Sequence, residues 1–279
     1  MGLYKEYIGF GIAGNFALHL DQAGEAEDFK DIITADEAAP KGMFPFYLPK
    51  EVSIASEQLC EYPLSSTTIQ LPNLEENVQA EPEVAIICEL RYKDGKVENI
   101  NPTHFVAYND CSIRRAGAKK ISQKKNWGVN SKGIGELHIP IDRYTIGGIK
   151  DSYKIVSFLK RDGVVYQYGE DVELNGYSYL YEQLLEWIKN QINTQKDKGP
   201  LEPLLEYIKE CDFPKKAIIS IGATRYTEFG EHNFLKPDDE VFVVLYHKDR
   251  DSFEDVKSCV EKGLFKPSMS VLHQKVVYE

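Results

Sequence analysis

The chain has 279 residues, a formal net charge of −11 and a pI near 5.2, with 42% hydrophobic and 28% charged residues. This is ordinary globular composition, which excludes disordered, collagen-like and coiled-coil classes and allows a sizeable core. So acidic a chain repels phosphate backbones and anionic membranes, and it has no apolar run of about 18 residues, so neither nucleic acid nor membrane is an expected partner.

The N-terminus, MGLYKEYIGFGIAG, lacks the basic and apolar regions of a secretory signal. The five cysteines, Cys60, Cys88, Cys111, Cys211 and Cys259, lie far apart with no C-x-x-C pair. Reduced thiols in a cytoplasmic protein are expected. Asp110 precedes Cys111, and a neighbouring carboxylate raises a thiol pKa, so Cys111 reads as packed rather than nucleophilic.

In chain order, Gly9, Gly11 and Gly14 spell G-x-G-x-x-G. Residues 15–29 read as a helix, and a short β-rich run over 31–36 ends at Asp36. This is the outline of a dinucleotide-binding unit, but LYKEYI is a poor preceding strand and no second βαβ unit follows. A nicotinamide-dependent oxidoreductase is therefore a minor rival.

Residues 84–92 (VAIICELRY) form an apolar strand ending at Asp94-Gly95. Residues 153–160 and 164–168 flank Asp162-Gly163, a strong two-residue hairpin signal. Leu180, Leu184, Leu185, Ile188 and Ile192 share one helical face, and Leu204, Leu205 and Ile208 begin a second helix. Strands over 216–222, 240–247 and 270–277 and a helix over 253–261 complete the reading. Strands outnumber helices without alternating with them, which predicts a β-rich α+β fold.

Three segments carry chemistry. Glu81-Pro82-Glu83 opens a strand, where residues two apart share a face, so two carboxylates converge. A bare E-x-E is more often a solvated pair. Asp110 sits in a short polar turn, where an acid is usually a cap. Between Arg114 and Lys132 lie Arg114, Arg115, Lys119, Lys120, Lys124, Lys125 and Lys132 with no acid among them. The bland reading is a solvated face; in so acidic a chain, service to an anion is the sharper one.

Together these segments resemble the fumarylacetoacetate hydrolase superfamily. GIAGNFALHLDQ (11–22) resembles that family's G-x-G-x-N-Y-x-x-H-x-x-E, and FPFYLP (44–49) its F-F-x-K-P stretch. Glu81-Pro82-Glu83 with VAIICEL resembles its E-x-E-L-x-x-V-I strand, and AYNDCSIR (107–114) its G-Y-x-x-x-N-D-x-S-x-R. Trp127 to Lys132 is similar to W-x-x-x-K with one extra residue. The run from Ile219 through FLKPDD (234–239) is similar to T-G-T-P…F-L-K-P-G-D. Six pieces in order span most of the chain.

The resemblance implies a mixed β-sandwich roll like the family's C-terminal domain. It implies one domain over 1–279, with a lid segment at 1–50, a helical insertion at 176–212 and an extension at 248–279. It also implies a cytoplasmic homodimer. Glu81, Glu83 and Asp110 would ligate Mg²⁺ (or Mn²⁺ or Ca²⁺), since all-oxygen sites suit hard cations. Lys132 would stabilise an enolate, and His19 would be the general base. Arg114 would either orient its own turn or, with Thr224, contact a small anionic keto-acid substrate.

The departures are Gln22 where the family has the glutamate paired with the histidine, Leu48 for its lysine, and Gly222-Ala223-Thr224 for G-T-P. Asp21 and Glu25, the nearby acids, would point from other faces of the helix. Lys132 is thus expected to matter more than His19, and Gln22 is the third candidate catalytic residue. The reaction implied is hydrolytic or lyase C–C cleavage of an α-keto or β-diketo acid. A decarboxylase or tautomerase on the same site, and a non-catalytic metal-binding module, are the alternatives.

Overall fold

Two long strands, Pro82–Lys93 and Lys96–Asn109, form a hairpin at the centre of the molecule. The computed structural model describes residues 3–278 except 31, 33, 35, 37, 74 and 116, and for residues 26 and 28 the backbone alone. The hairpin turn is the expected Asp94-Gly95, with both residues at positive φ (51° and 73°) as a type I′ turn requires. Val84, Ala85, Ile86 and Ile87 are buried in succession, because this strand has packed layers on both faces.

The hairpin belongs to an eight-stranded mixed sheet. On one side come Lys216–Ser220, Ile8–Ala13 and Gly42–Tyr47; on the other, Lys132–Ile134 and Leu64–Ser65. Ile8–Ala13 runs parallel to Lys216–Ser220, whereas its pairing with Gly42–Tyr47 is antiparallel. A five-stranded sheet holds, in order, Val164–Glu173, Tyr153–Arg161, Glu240–His247, Ser270–Val277 and Thr68–Gln70. The main core cluster draws Phe105 and Ile86 from the first sheet, Ile155, Val243 and Leu272 from the second. The β-rich α+β expectation is met.

Helices Tyr181–Thr194 and Leu204–Glu210 bury Leu184, Ile188, Ile192, Leu204 and Ile208 into that same core. The tail is integral too. Ser270–Val277 lies inside the second sheet, and the helix Phe253–Lys262, started by a Ser252/Asp255 capping box, packs Val256 and Val260 against it.

The N-terminal third departs from expectation. Gly9 and Gly11 lie within a strand, not in a strand-to-helix turn, and a Cβ on either would stand 2.3 or 2.2 Å from the Phe46 or Phe44 ring. These glycines seat aromatic rings, and the phosphate-binding turn of a dinucleotide unit is not formed at them. Residues 15–29 are not one helix: His19–Gln22 makes a single turn, and Ala26–Phe29 is a 3₁₀ turn. Gly24, at φ 68°, ends the first turn, and the Glu25 N–H donates to Leu20 O at 2.9 Å. The β-run over 31–36 lies partly outside the described residues.

Candidate metal centre and active site

Register builds the site. Antiparallel pairing sets Pro82 opposite Asn109 and Glu83 opposite Tyr108, so the first residues of one strand meet the last of the next. The Asp110 N–H donates to Glu81 O at 3.0 Å. Asn109 Oδ1 accepts from the N–H of both Glu81 (3.0 Å) and Cys111 (3.2 Å), while its amide donates to Gln274 at 3.0 Å. Glu81, Glu83 and Asp110 thus converge, all buried, with one carboxylate oxygen of each within 4.8 Å of the others.

The basic block is split: Arg115 and Lys119 stay exposed and Lys120 half-buried, while its other members fold inward. Lys124, Lys125 and Lys132 are buried, and the Arg114 side chain is 10% exposed. Strand Lys132–Ile134 pairs beside Asn109, which delivers Lys132 to Asp110. Its ammonium donates to the carbonyls of Asp110 (2.6 Å) and Cys111 (2.5 Å) and stands 3.2 Å from Asp110 Oδ1. Those three contacts match its three N–H donors. Arg114 is equally committed: Nε to Gln79 (2.7 Å), Nη1 to Glu25 (2.8 Å), and Nη2 to Tyr226 Oη (3.0 Å) and Glu81 (2.8 Å).

Lys125 is the residue that sequence reasoning left inside a charge run. It ends the short helix Ser122–Lys125 and puts its ammonium 2.5 Å from Glu81 Oε2 and 2.7 Å from Asp110 Oδ2. Glu25, which a continuous helix would have turned away, is instead brought in by the Gly24 reversal to pair with Arg114 and Lys124, each at 2.8 Å. The only forewarning was an acid-free basic block in an acidic chain, whose charges needed partners from elsewhere.

His19 is buried with Nδ1 lacking a hydrogen-bond partner, its ring centroid 5.2 Å from that of Tyr226. Gln22 does not face it. The Gln22 amide brackets the Tyr226 backbone, donating to its carbonyl (3.1 Å) and accepting from its N–H (2.9 Å), and also donates to Glu231 (3.3 Å). Thr224 braces the start of the central strand, its N–H donating to Pro82 O at 3.1 Å. Gly222 N–H donates to Glu83 at 3.1 Å.

Electrostatics follow from burial and partners. Burial pushes the Glu83 carboxyl well up, and the Asp110 and Glu81 charges add to it. Burial also raises Asp110, against Lys125 and Lys132. Burial would raise Glu81 as well, but Lys125 and Arg114 outweigh it and hold that carboxyl low. Burial works against the Lys125 charge, yet Asp110 and Glu81 keep the ammonium firmly protonated. Burial brings His19 down to about 4, so its ring is neutral near pH 7. Burial pushes the Cys111 thiol up to about 12, as a packed thiol requires.

Between these groups lies a cavity of about 10 Å³, lined by His19, Leu20, Glu25, Phe44, Ile121 and Lys125 among others. That is room for one ion or water. The donor set suits a hard cation: Glu81 Oε1 and both Asp110 oxygens are buried without an aligned hydrogen bond, and a metal ion satisfies such lone pairs with little directional demand.

Residues 25–276 match the family described as "Family of unknown function (DUF5718)". The chain belongs to that family. No curated protein matches it in sequence. Among solved structures it is similar to 2-keto-3-deoxy-D-arabinonate dehydratase complexed with magnesium and 2,5-dioxopentanoate, at 15% identity and TM-score 0.54, over 98% of this chain and 73% of that one. It is similar to 5-carboxymethyl-2-hydroxymuconate delta-isomerase from Mycobacterium smegmatis, at 13% identity and TM-score 0.54, over 98% and 79%. A third is a putative fumarylacetoacetate hydrolase family protein from Yersinia pestis CO92, at 13% identity and TM-score 0.52, over 97% and 93%. This DUF5718 chain therefore has the fumarylacetoacetate hydrolase fold, in keeping with the six-motif resemblance. Among the described residues no helix is long and apolar enough to cross a membrane.

Proposed function

We propose that this chain is a divalent-metal-dependent enzyme that cleaves a C–C bond in a small α-keto or β-diketo acid. The observation that carries the reading is the buried convergence of Glu81, Glu83 and Asp110 within 4.8 Å at the open end of one hairpin. These residues would hold Mg²⁺, Mn²⁺ or Ca²⁺. When bound, such an ion polarises a keto oxygen as a Lewis acid.

The chain's own groups then divide the work. His19 offers a neutral, unpartnered Nδ1 beside the cage, placed to take a proton from water or substrate there. Lys132 has all three donors engaged and Arg114 makes four polar contacts with buried partners, so we assign them to holding Asp110 and Glu81 in place. Gln22 and Thr224 position Tyr226 and the start of the central strand. Opening for a keto acid requires the segment with His19, Leu20 and Glu25, or the turn with Ile121 and Lys125, to move, because about 10 Å³ admits no three-carbon molecule.

A second reading, decarboxylation or tautomerisation, is favoured by one observation: the Gln22 amide is spent on Tyr226, so no carboxylate at that position orients His19. Such reactions do not need an activated water.

The test is an assay on oxaloacetate and acylpyruvates after chelation and reloading with Mg²⁺ or Mn²⁺. Metal-restored cleavage of acylpyruvate is expected. Activity confined to oxaloacetate or to keto–enol exchange selects the second reading. No turnover of either substrate class with either metal defeats both.

A further inference from the structure

We infer that Lys125 is a tethered cation that occupies the divalent-metal seat, so that metal binding requires its ammonium to leave the carboxylate cage. The inference rests on the metal reading above and adds a control to that site.

Three independent observations support it. The first is position. Lys125 Nζ stands 2.5 Å from Glu81 and 2.7 Å from Asp110, contacting two of the three carboxylates that would ligate the ion. An ammonium bridging Glu81 Oε2 and Asp110 Oδ2 competes with a metal ion for the lone pairs and the space between those carboxylates, given metal–oxygen bonds of about 2.0–2.6 Å.

The second is charge. The buried acids of the site are Glu25, Glu81, Glu83 and Asp110; the cations paired with them are Arg114, Lys124, Lys125 and Lys132. Among the described residues these are four formal charges of each sign. A divalent ion would add two positive charges to this set in a low-dielectric interior, where uncompensated charge is costly. Moving the Lys125 ammonium out to water offsets one of them at the seat itself.

The third is room. The cavity beside the cage holds about one ion or water, and Lys125 and its neighbour Ile121 help close it. Lys125 sits on a four-residue helix, Ser122–Lys125. Its turn is held by backbone bonds from Gln123 N–H to Lys120 O (3.2 Å), Lys124 N–H to Ile121 O (2.9 Å) and Asn126 N–H to Ser122 O (3.1 Å), and it is tied to other segments by Ile121 N–H to Pro200 O (3.2 Å) and Ser122 Oγ to Glu202 (2.9 Å). Freeing the ammonium therefore requires the Lys125 side chain to swing away from the cage, or this tethered turn to move with it. The movement that frees the cation seat would also widen the pocket, which links metal loading to substrate access.

The experiment is Mn²⁺ titration followed by electron paramagnetic resonance of the free ion, on wild type, Lys125→Met and Lys125→Arg. Lys125→Met is expected to bind Mn²⁺ at least about tenfold more tightly than wild type, with Lys125→Arg no tighter than wild type. A footprint on the wild-type chain runs in parallel and needs no variant: reductive methylation of lysines, with and without saturating Mn²⁺, read by mass spectrometry. Lys125 should be protected without metal and modified at least about tenfold faster with it. Equal Mn²⁺ affinity in wild type and Lys125→Met, or a Lys125 that stays protected with Mn²⁺ bound, overturns the tethered-cation inference and leaves the metal reading standing. Absence of Mn²⁺ binding in both wild type and Lys125→Met overturns the metal reading, and the inference with it.

Discussion

The two halves of the candidate site are built by different means. The carboxylate cage comes from β-register: one hairpin fixes Glu81, Glu83 and Asp110, and the adjacent strand fixes Lys132. The half that carries His19, Gln22 and Glu25 comes from a single helical turn, a glycine reversal and a 3₁₀ turn. Register couples many backbone bonds at once, so the cage tolerates little displacement. The N-terminal half is held by a few side-chain bonds, chiefly the Gln22 bracket on Tyr226 and the Glu25 pair with Arg114. The carboxylate cage lies on the first, and the unpartnered His19 Nδ1 lies on the second.

The largest expected effect breaks the cage. Asp110 receives both Lys125 and Lys132, and all three are buried. Asp110→Ala leaves two buried ammonium groups short of their anion, and breaking a buried pair in this way costs about 3–5 kcal/mol. Urea denaturation should show that loss, together with loss of Mn²⁺ binding. A variant as stable as wild type would show that the cage is not the rigid half.

A smaller effect tests burial on the other side. Burial lowers His19 from 6.5 in the unfolded chain to about 4 in the folded one. Between those values the unfolded state takes up a proton that the folded state refuses. Stability from this group is therefore complete above about pH 6.5 and is lost as pH falls through about 4. The full span is on the order of 3 kcal/mol, at about 1.36 kcal/mol per pH unit. Glu83 and Asp110, raised by burial, act with the opposite sign, so the test is the difference between wild-type and His19→Phe stability curves. That difference should shrink steadily from pH 7 to 4. A constant difference would mean that the ring is charged or solvated in the folded state.

The same division decides what was legible in the sequence. E-P-E, N-D and the following lysine sit on strands with clear apolar runs and a D-G turn, and local pattern plus register is enough to bring them together. Lys125 was visible only as one of seven cations in a run, because its destination depends on Ile121 and Phe44 packing around a four-residue helix. Glu25 was misplaced for a nameable reason: the apolar spacing over 15–29 suits a helix, and the turn at Gly24 overrides it. The G-x-G pattern is likewise explained by contact, since the Phe44 and Phe46 rings come from a strand over thirty residues away in sequence and propensity carries no trace of them.

The smallest effect sharpens the comparison at Gln22. By sequence, Gln22→Glu restores the superfamily's acid beside the histidine and should help an activated water. The folded geometry predicts a loss instead. The Gln22 amide nitrogen donates to Tyr226 O and to Glu231, and its oxygen accepts from Tyr226 N–H. A carboxylate keeps the acceptor but has no N–H, so it would set an anion against the Tyr226 carbonyl and the Glu231 carboxylate. Losing a partly buried donor while adding like-charge repulsion should cost about 1–2 kcal/mol. No acylpyruvate cleavage should be gained, because the side chain points at the Tyr226 backbone and leaves His19 Nδ1 as it was. Adding Glu231→Gln supplies the control: in the double variant the amide introduced there can donate to the carboxylate introduced by Gln22→Glu, and at least half of the lost stability should return. If Gln22→Glu is neutral in stability and raises cleavage, the N-terminal turn rearranges readily enough to aim an acid at His19. The contrast between a rigid half and a weakly held half would then be larger than the bond count implies.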